Sequence, residues 1–504
     1  MHPHVHAAEN PDTMAIVMAG TGASMTYAGL EARSNQVAHL LRRQGLVRGD
    51  TVAILLENCL DYLPICWGAQ RAGLVFVAMS TKLTADEAGY IVGDSGATVV
   101  FAGARYAEVA ASLPGVAGQY AVGGAIPGYT SFEDAIAAMP QTPIEDESAG
   151  RDMLYSSGTT GRPKGIRGAL PEGPLATTDA MRALTGALYG FTAGMIYLSP
   201  APLYHAAPLR YSMTVHRFGG TVIIMERFDP EEYLALVERY RVTHSQLVPT
   251  MFVRMLKLPE EVRHKYDLSS LQVAIHAAAP CPVDVKQAML DWWGDVIFEY
   301  YSATEGAGFT AISPQEWRAH PGSVGKAVLG EIRVLGDDDV LLGPGETGRI
   351  YFAGGPEFAY HNDPSKTAGS VGAHGATFGD IGHVDPDGYL YLTDRASYMI
   401  ISGGVNVYPQ EAENVLTMHP EVADVAVFGV PDAEMGEAVK AVVQPRDMAR
   451  AGPELEAEII AFTRARLSHV KCPVSVDFMA ELPRHDTGKL YKRLLKDRYW
   501  PVSA

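Results

Sequence analysis

Apolar residues recur at Leu30, Val37, Leu40 and Leu41 within residues 27–44, a spacing that predicts a helix. Residues 51–56 (TVAILL) are a short unbroken apolar run, as expected of a buried strand. The same strand signal returns at 75–79 (VFVAM) and 98–102 (TVVFA), with a helical pattern between them at 83–96. Such alternation predicts a mostly parallel sheet covered by helices. Residues 105–150 turn to Gly, Ala and Pro and read as a connecting region. A second α/β run covers about 183–312, with GTVIIM, the helical FDPEEYLALVERY, THSQLVP and SSLQVAIHA in order.

Beyond it the text becomes Gly-rich and strand-dominated, from GSVGKAVLGEIRVLG to GRIYFAGG, and predicts a small barrel-like or sandwich unit. Past Asp394 the pattern restarts as a separate small α+β unit of about a hundred residues. The expected fold class is therefore α/β: a large N-terminal domain (1–393) of two α/β halves plus a small β unit, then a C-terminal domain (394–504). The length of 504 residues agrees with about three domain-sized units. The most apolar long stretch, Gly190 to Leu209, is broken by Pro200, Pro202, His205 and Pro208, so no membrane span is expected.

Composition narrows the function. The net charge of −18 argues against a broad nucleic-acid-binding face but leaves room for a local phosphate site. Cys59, Cys66, Cys281 and Cys472 form no CxxC pair, which excludes a disulfide scaffold and a Cys-rich zinc site. Inert thiols in a reducing cytoplasm are expected. The start, MHPHVHAAENPD, has neither a basic nor an apolar leader segment, so no signal peptide is expected. His2, His4 and His6 read as a frayed terminus rather than a metal site.

The densest chemistry lies in Tyr155-Ser-Ser-Gly-Thr-Thr-Gly-Arg-Pro-Lys164-Gly165, where eleven residues hold three glycines, four Ser/Thr hydroxyls and one lysine. A loop of this kind turns backbone N–H groups and hydroxyls toward a polyphosphate. It is not a Walker A loop, because Pro163 stands where the second glycine belongs and Gly165 follows the lysine.

This loop resembles the phosphate-binding signature of the adenylate-forming superfamily, which includes acyl-CoA ligases, firefly-type luciferases and peptide-synthetase adenylation domains. Further motifs follow in that superfamily's order. Pro202-Leu-Tyr-His205 resembles the segment whose aromatic gates a thiol tunnel, and Ala277-Ala-Ala-Pro280 the adenine-flanking segment. Tyr300-Tyr-Ser-Ala-Thr-Glu305 is similar to Gly-Tyr-Gly-x-Thr-Glu, and Phe378-Gly-Asp380 to Thr-Gly-Asp. Asp394-Arg395, the run Ile401 to Glu411, and Pro483 to Lys489 resemble the start and the catalytic-lysine motif of the superfamily's mobile C-terminal domain.

The resemblance implies ATP, Mg²⁺ and coenzyme A, with residue roles to match. Ser156, Ser157, Gly158, Thr159, Thr160, Gly161 and Lys164 would face the phosphates. Ala278 and Ala279 would flank adenine, Tyr301 would offer it an aromatic face, and Asp380 and Arg395 would hold the ribose. Glu305 would supply a hard oxygen for Mg²⁺, with Thr304 beside it. Lys489 would be the catalyst of adenylate formation, because an ammonium between carboxylate and α-phosphate offsets the growing negative charge. His205 would gate the thiol path; His276, Ala277 and Tyr300 would border the acyl pocket; Gly403 and Gly404 would form a hairpin that approaches the thiol, or a plain β-turn. Lys492 and Arg493 read as a solvated basic face.

The chain departs from the superfamily at three places. The hinge residue, usually Asp or Lys, is Ser397; the Thr before Gly379-Asp380 is Phe378; and Tyr300 stands where Gly is common. With His276 and Ala277, Tyr300 adds bulk at the acyl pocket and favours short, medium or flat aromatic acids. The expected function is ATP-dependent acid–CoA ligation through an acyl-adenylate. The alternatives are loading of a separate carrier protein, a long-chain or sterol-side-chain acid, and a non-catalytic nucleotide binder. A homodimer is left open.

Overall fold

The computed structural model describes residues 1–156, 163–176, 180–395, 398–484 and 490–500, with only the backbone at Arg493. The chain divides into two compact units. The first comprises Met1–Leu247, Arg254–Ile275 and Glu357–Gly369; the second comprises Val248–Val253, His276–Pro356 and Ser370–Ala504.

The first unit carries the parallel sheet that the alternation predicts. Thr51–Leu55 lies between Ala97–Gly103 and Val75–Ala78, with Ala53 opposite both Val100 and Val77. Every residue of Thr51–Leu55 is buried, which is why the strand reads as a continuous apolar run. Gly118–Val122 extends this sheet, so residues 105–150 are not merely a connection. They also hold the helix Phe132–Ala137, started by the Ser131 hydroxyl on the Asp134 N–H. These elements are too short, and too rich in Ala and Gly, to show a period. A second sheet joins Met14–Met18, Thr221–Ile224, Ile196–Ser199 and His244–Leu247, all parallel.

The helices follow their local signals. Thr84 and Glu87 cap Ala85–Ser95 reciprocally, and Asp229 caps Pro230–Tyr240. Tyr27–Arg43 packs on Tyr62–Arg71 at Gly68, where a Cβ would lie 2.5 Å from the Val37 side chain. Arg71, fully buried between them, is neutralised by Glu31 and Glu147, each at 2.8 Å.

The N-terminal segment is not frayed. Pro3–Glu9 is helical, and the fully buried His2 ring meets Trp67 edge-on at 4.9 Å. Trp67 Nε1–H donates to His216 Nδ1 at 3.0 Å, so the opposite His216 N–H donates to the Ala15 carbonyl, also at 3.0 Å. Burial pushes His216 down to about 4, which keeps this neutral tautomer at physiological pH.

The second unit begins with antiparallel β structure. Ile297–Ser302, Phe309–Ile312 and Ser323–Leu329 form a meander that continues into Leu390–Arg395 and Asp380–Val384. Its last part is the expected α+β unit. The long hairpin of Val422–Asp432 and Gly436–Pro445 is flanked by Ile400–Ser402 and the parallel Ser475–Phe478, with Pro409–Thr417 and Pro453–Arg464 as helices. Val425, Val427, Val439, Ala441, Leu416 and Ile459 make its core. The four cysteines are free, as expected.

Candidate active site

In the first unit the phosphate-loop motif is framed by a three-stranded antiparallel sheet of Leu154–Ser156, Lys164–Arg167 and Ala359–Tyr360. Ser156 and Lys164 stand opposite each other across the loop's stem. Ser157, Gly158, Thr159, Thr160 and Gly161 lie outside the described residues. Gly165 lets the stem close, because a Cβ there would lie 2.9 Å from the Tyr155 ring. Lys164 Nζ is 3.0 Å from Asp363 Oδ2, a partner 199 positions away that no local pattern announces. Hydrogen bonds from the Lys366 N–H, Lys164 and Ser365 hold the Asp363 carboxyl at about 2, so it is ionised beside the ammonium. His205 is the N-cap of Ala206–Phe218, with its ring 4.5 Å from Tyr204.

In the second unit three separate motifs converge. The antiparallel pairing of Asp380–Val384 with Leu390–Arg395 sets Asp380 opposite Arg395. Arg395 Nε is 3.2 Å from Asp380 Oδ1, and the Tyr301 hydroxyl donates to Asp380 Oδ2 at 2.5 Å. Burial, then the Asp380 charge, raises the Tyr301 phenol well above its usual range, so it stays a donor. Burial works against the Arg395 charge, but Asp380, Tyr398, Tyr301 and Glu305 together outweigh it and hold the guanidinium more firmly protonated. The Tyr301 ring sits 6.1 Å from Phe352 and 6.0 Å, edge-on, from Phe378. Phe378 thus replaces a hydroxyl with an aromatic wall that fixes Tyr301.

Thr304 and Glu305 lie half-buried in the turn after Ile297–Ser302. That turn is pinned by the Ser302 hydroxyl on the Gly308 carbonyl at 2.6 Å. A Cβ at Gly308 would lie 2.1 Å from the Phe352 ring, so the turn approaches the aromatic cluster as only glycine allows. Ala278 adopts φ +75°, a left-handed backbone that costs an L-residue about 1–2 kcal/mol. Such strain often marks a functional loop. Ala277 is buried, Ala278 exposed and Ala279 half-buried. Tyr300 stacks on Phe309 with centroids 4.9 Å apart and planes 8° from parallel.

His276 stands in a buried charged cluster that sequence reasoning missed. Its Nε2 lies 3.3 Å from Glu299 Oε2, and Lys286 Nζ is 2.5 Å from the same oxygen. Burial lowers His276, with Glu299 opposing only in part. Burial would raise Glu299, yet His276 and Lys286 hold it at about 2. The signal was present: Glu299 shares strand parity with buried Ile297, and Lys286 shares its helix face with buried Met289 and Leu290.

Gly403 and Gly404, at φ +57° and +78°, form the two-residue turn between Ile400–Ser402 and Val405–Val407. Ser397 and Lys489 lie outside the described residues. Lys492 is not a solvated charge: it is 6% exposed, with Nζ 2.8 Å from Glu413 Oε1. The expectation failed because Glu413 is some 80 positions away and offers no local periodicity linking the two.

Comparison with known proteins shows the family and the fold. The AMP-binding enzyme model matches residues 4–358, and the AMP-binding enzyme C-terminal domain model matches residues 411–489. A feruloyl-CoA synthase of Amycolatopsis sp is 34% identical over 501 residues, which cover 99% of this chain and 98% of that one. A long-chain-fatty-acid–CoA ligase of Mycobacterium tuberculosis, FadD13, is 31% identical over 505 residues, with 98% and 97% covered. The crystal structure of ATP-bound MatB from Rhodopseudomonas palustris superposes with a TM-score of 0.82 at 28% identity, covering 99% of both chains.

Proposed function

We propose a residue-level working cycle for this chain, which belongs to the AMP-binding enzyme family and is an AMP-forming acid–thiol ligase. A substrate carboxylate attacks the α-phosphorus of ATP and pyrophosphate leaves. The thiol of coenzyme A then gives its proton to solvent, the resulting thiolate attacks the acyl carbon, and AMP leaves as the acyl–phosphate C–O bond breaks. Asp380 and Arg395 hold the ribose while Tyr301, fixed by Phe352 and Phe378, faces adenine. Lys164 and the adjoining hydroxyls receive the phosphates, with Lys164 exchanging Asp363 for a phosphate oxygen. Glu305 and Thr304 offer hard oxygens that suit Mg²⁺, which when bound would neutralise phosphate charge. Lys489 supplies the ammonium of the first half-reaction, and the Gly403–Gly404 turn faces the thiol in the second, with Ser397 as the hinge of a C-terminal domain that starts at 394.

The observation that supports this reading best is the Tyr301–Asp380–Arg395 grip, because three stretches far apart in the chain supply it. The stacked Tyr300–Phe309 pair supports a short, medium or flat aromatic acid, bordered also by His276 and Ala277, with His205 gating the thiol. The reading is of a cytoplasmic enzyme, monomer or homodimer, whose partners are small molecules. Among the described residues no helix is long and apolar enough to cross a membrane.

The test is acid-dependent ATP–pyrophosphate exchange over fatty and aryl acids, followed by AMP release with CoA. Exchange with at least one short or aromatic acid, and AMP release with CoA alone, are expected. Absence of exchange with every acid overturns the ligase reading, and AMP release only with a carrier protein overturns the choice of CoA.

A further inference from the structure

Both ends of the loop that holds Ala278 and Ala279 run into one buried carboxylate. At the entry, His276 has its Nε2 3.3 Å from Glu299 Oε2. At the exit, Pro282 begins the helix Val283–Trp293, whose Lys286 brings Nζ to 2.5 Å from the same oxygen. The His276 ring is fully buried and meets Phe252 edge-on at 5.3 Å. Its Nδ1 has no partner among the described residues, so Glu299 is the polar contact that orients the ring. The Lys286 ammonium also lies 4.9 Å from the centre of the Trp317 ring, within cation–π range.

Glu299 is itself set by strand pairing, opposite Ile312, as Tyr301 is opposite Thr310. Residues two apart on a strand share a face and stand about 7 Å apart. One carboxylate thus ties the entry and the exit of the loop to the strand that carries Tyr301. Through Tyr301 the tie extends to Asp380 and Arg395. The loop needs such a hold, because Ala278 keeps φ +75° and a strained backbone persists only where its surroundings over-determine it. Stability alone does not call for these three side chains. An apolar set of similar volume usually serves a buried site at least as well.

We propose that Glu299 is a positioning residue for the nucleotide: its contacts with His276 and Lys286 hold the Ala277–Ala279 loop at a fixed distance from the Tyr301 ring and so set the width of the adenine slot. This inference rests on the reading that Tyr301 and this loop flank adenine. It departs from a merely structural role in a measurable way. A structural cluster, when broken, leaves less folded enzyme, which lowers the apparent kcat at an unchanged KM. A misplaced slot weakens the ground state and the transition state alike, so the KM for ATP rises while kcat holds.

The experiment uses the full-length protein and the double variant Glu299→Leu/Lys286→Met, which removes both charges together and leaves no uncompensated ion. Its Tm is expected to stay within about 5 °C of the unchanged protein. In acid-dependent ATP–pyrophosphate exchange its KM for ATP is expected to rise about tenfold, part of what a base–aromatic stack contributes. Its kcat is expected to stay within about threefold, and its KM for CoA within about twofold. The ATP-over-GTP ratio of kcat/KM is expected to fall, because the slot reads the base. If the double variant does not fold, Glu299→Gln, which keeps an oxygen for Lys286, is expected to show the same split with a smaller rise. A lower kcat at unchanged KM, no change in either, an equal rise for CoA, or a raised KM with the ATP-over-GTP ratio intact overturns the inference. Tyr301→Leu separates this from the underlying reading. An unchanged KM for ATP in that variant means that adenine lies elsewhere; a raised KM there, with the double variant unaltered, removes only the role of Glu299.

Discussion

Replacing Lys286 with Met isolates what the buried charges beneath the Tyr300–Tyr301 strand contribute. Methionine keeps the apolar stem and removes an ammonium 2.5 Å from Glu299 Oε2. The side chains of Lys286, Glu299 and His276 are 1%, 7% and 0% exposed, so water cannot replace the lost partner. Burial lowers the pKa of His276 and so opposes its charging in place of the lost ammonium. A buried carboxylate stripped of its counter-ion costs about 3–5 kcal/mol. For a unit of this size that lowers Tm by roughly 6–20 °C.

The pH dependence has a definite sign. In the unchanged protein Glu299 is held at about 2, below its ordinary value of 4.5, so its stabilisation is full at neutral pH and is lost progressively as pH falls from about 4.5 through about 2. Without Lys286, burial pushes the carboxyl up instead. The variant's penalty is then full at pH 8 and shrinks toward pH 5, as the folded form takes up a proton. Thermal unfolding at both pH values, followed by the fluorescence of Trp317, whose ring lies 4.9 Å from Lys286 Nζ, reads both effects. A loss below about 1 kcal/mol, equal at the two pH values, refutes the reasoning.

Asp380→Asn keeps the shape of the ribose grip and removes its charge, so the KM for ATP should rise about 10–150-fold with less change for CoA; unaltered ATP binding by calorimetry contradicts the assignment. Tyr300→Gly removes the ring stacked on Phe309 and should shift kcat/KM toward bulkier acids by about tenfold, as 1.4 kcal/mol of steric conflict is relieved. An unchanged ranking across an acid panel shows that Tyr300 does not border the pocket. Gly404→Leu places a side chain where nothing lies within 4 Å of the Cβ, so the only local cost is the strain of φ +78°, about 1–2 kcal/mol. Thioester formation should fall with adenylate formation kept, and equal slowing of both makes the turn structural only.

Wherever a signal is local, the chain announces it. Thr84 and Glu87 mark the start of a helix, and the unbroken apolar run of 51–55 marks a strand buried on both faces. Asp380, Arg395 and Tyr301 were found through ordered motifs, yet their mutual hydrogen bonds follow from strand pairing that no short window contains. The partners of Lys164 and Lys492 lie 199 and some 80 positions away, so a charge that looked solvated proved buried. Glu299 and Lys286 were hidden differently: each occupies an apolar parity, but a lone charge there carries meaning only once the other is seen beside it. Phe378 looked like a lost hydroxyl because its gain, a wall for Tyr301, exists only in three dimensions.

The seat of the N-terminal helix bears on how the protein is made. His216 reaches the Ala15 carbonyl across 201 positions, and Met14–Met18 pairs with Thr221–Ile224. A ribosome adding about 5–20 residues per second needs roughly 10–40 s to synthesise that interval. During that time Met14–Met18 can pair with Ser24–Thr26 along one edge, but its other edge lacks Thr221–Ile224 and Trp67 lacks His216. Slower elongation before residue 224 lengthens the exposure, and a chain truncated there leaves an unpaired strand edge, an invitation to aggregation or chaperone capture.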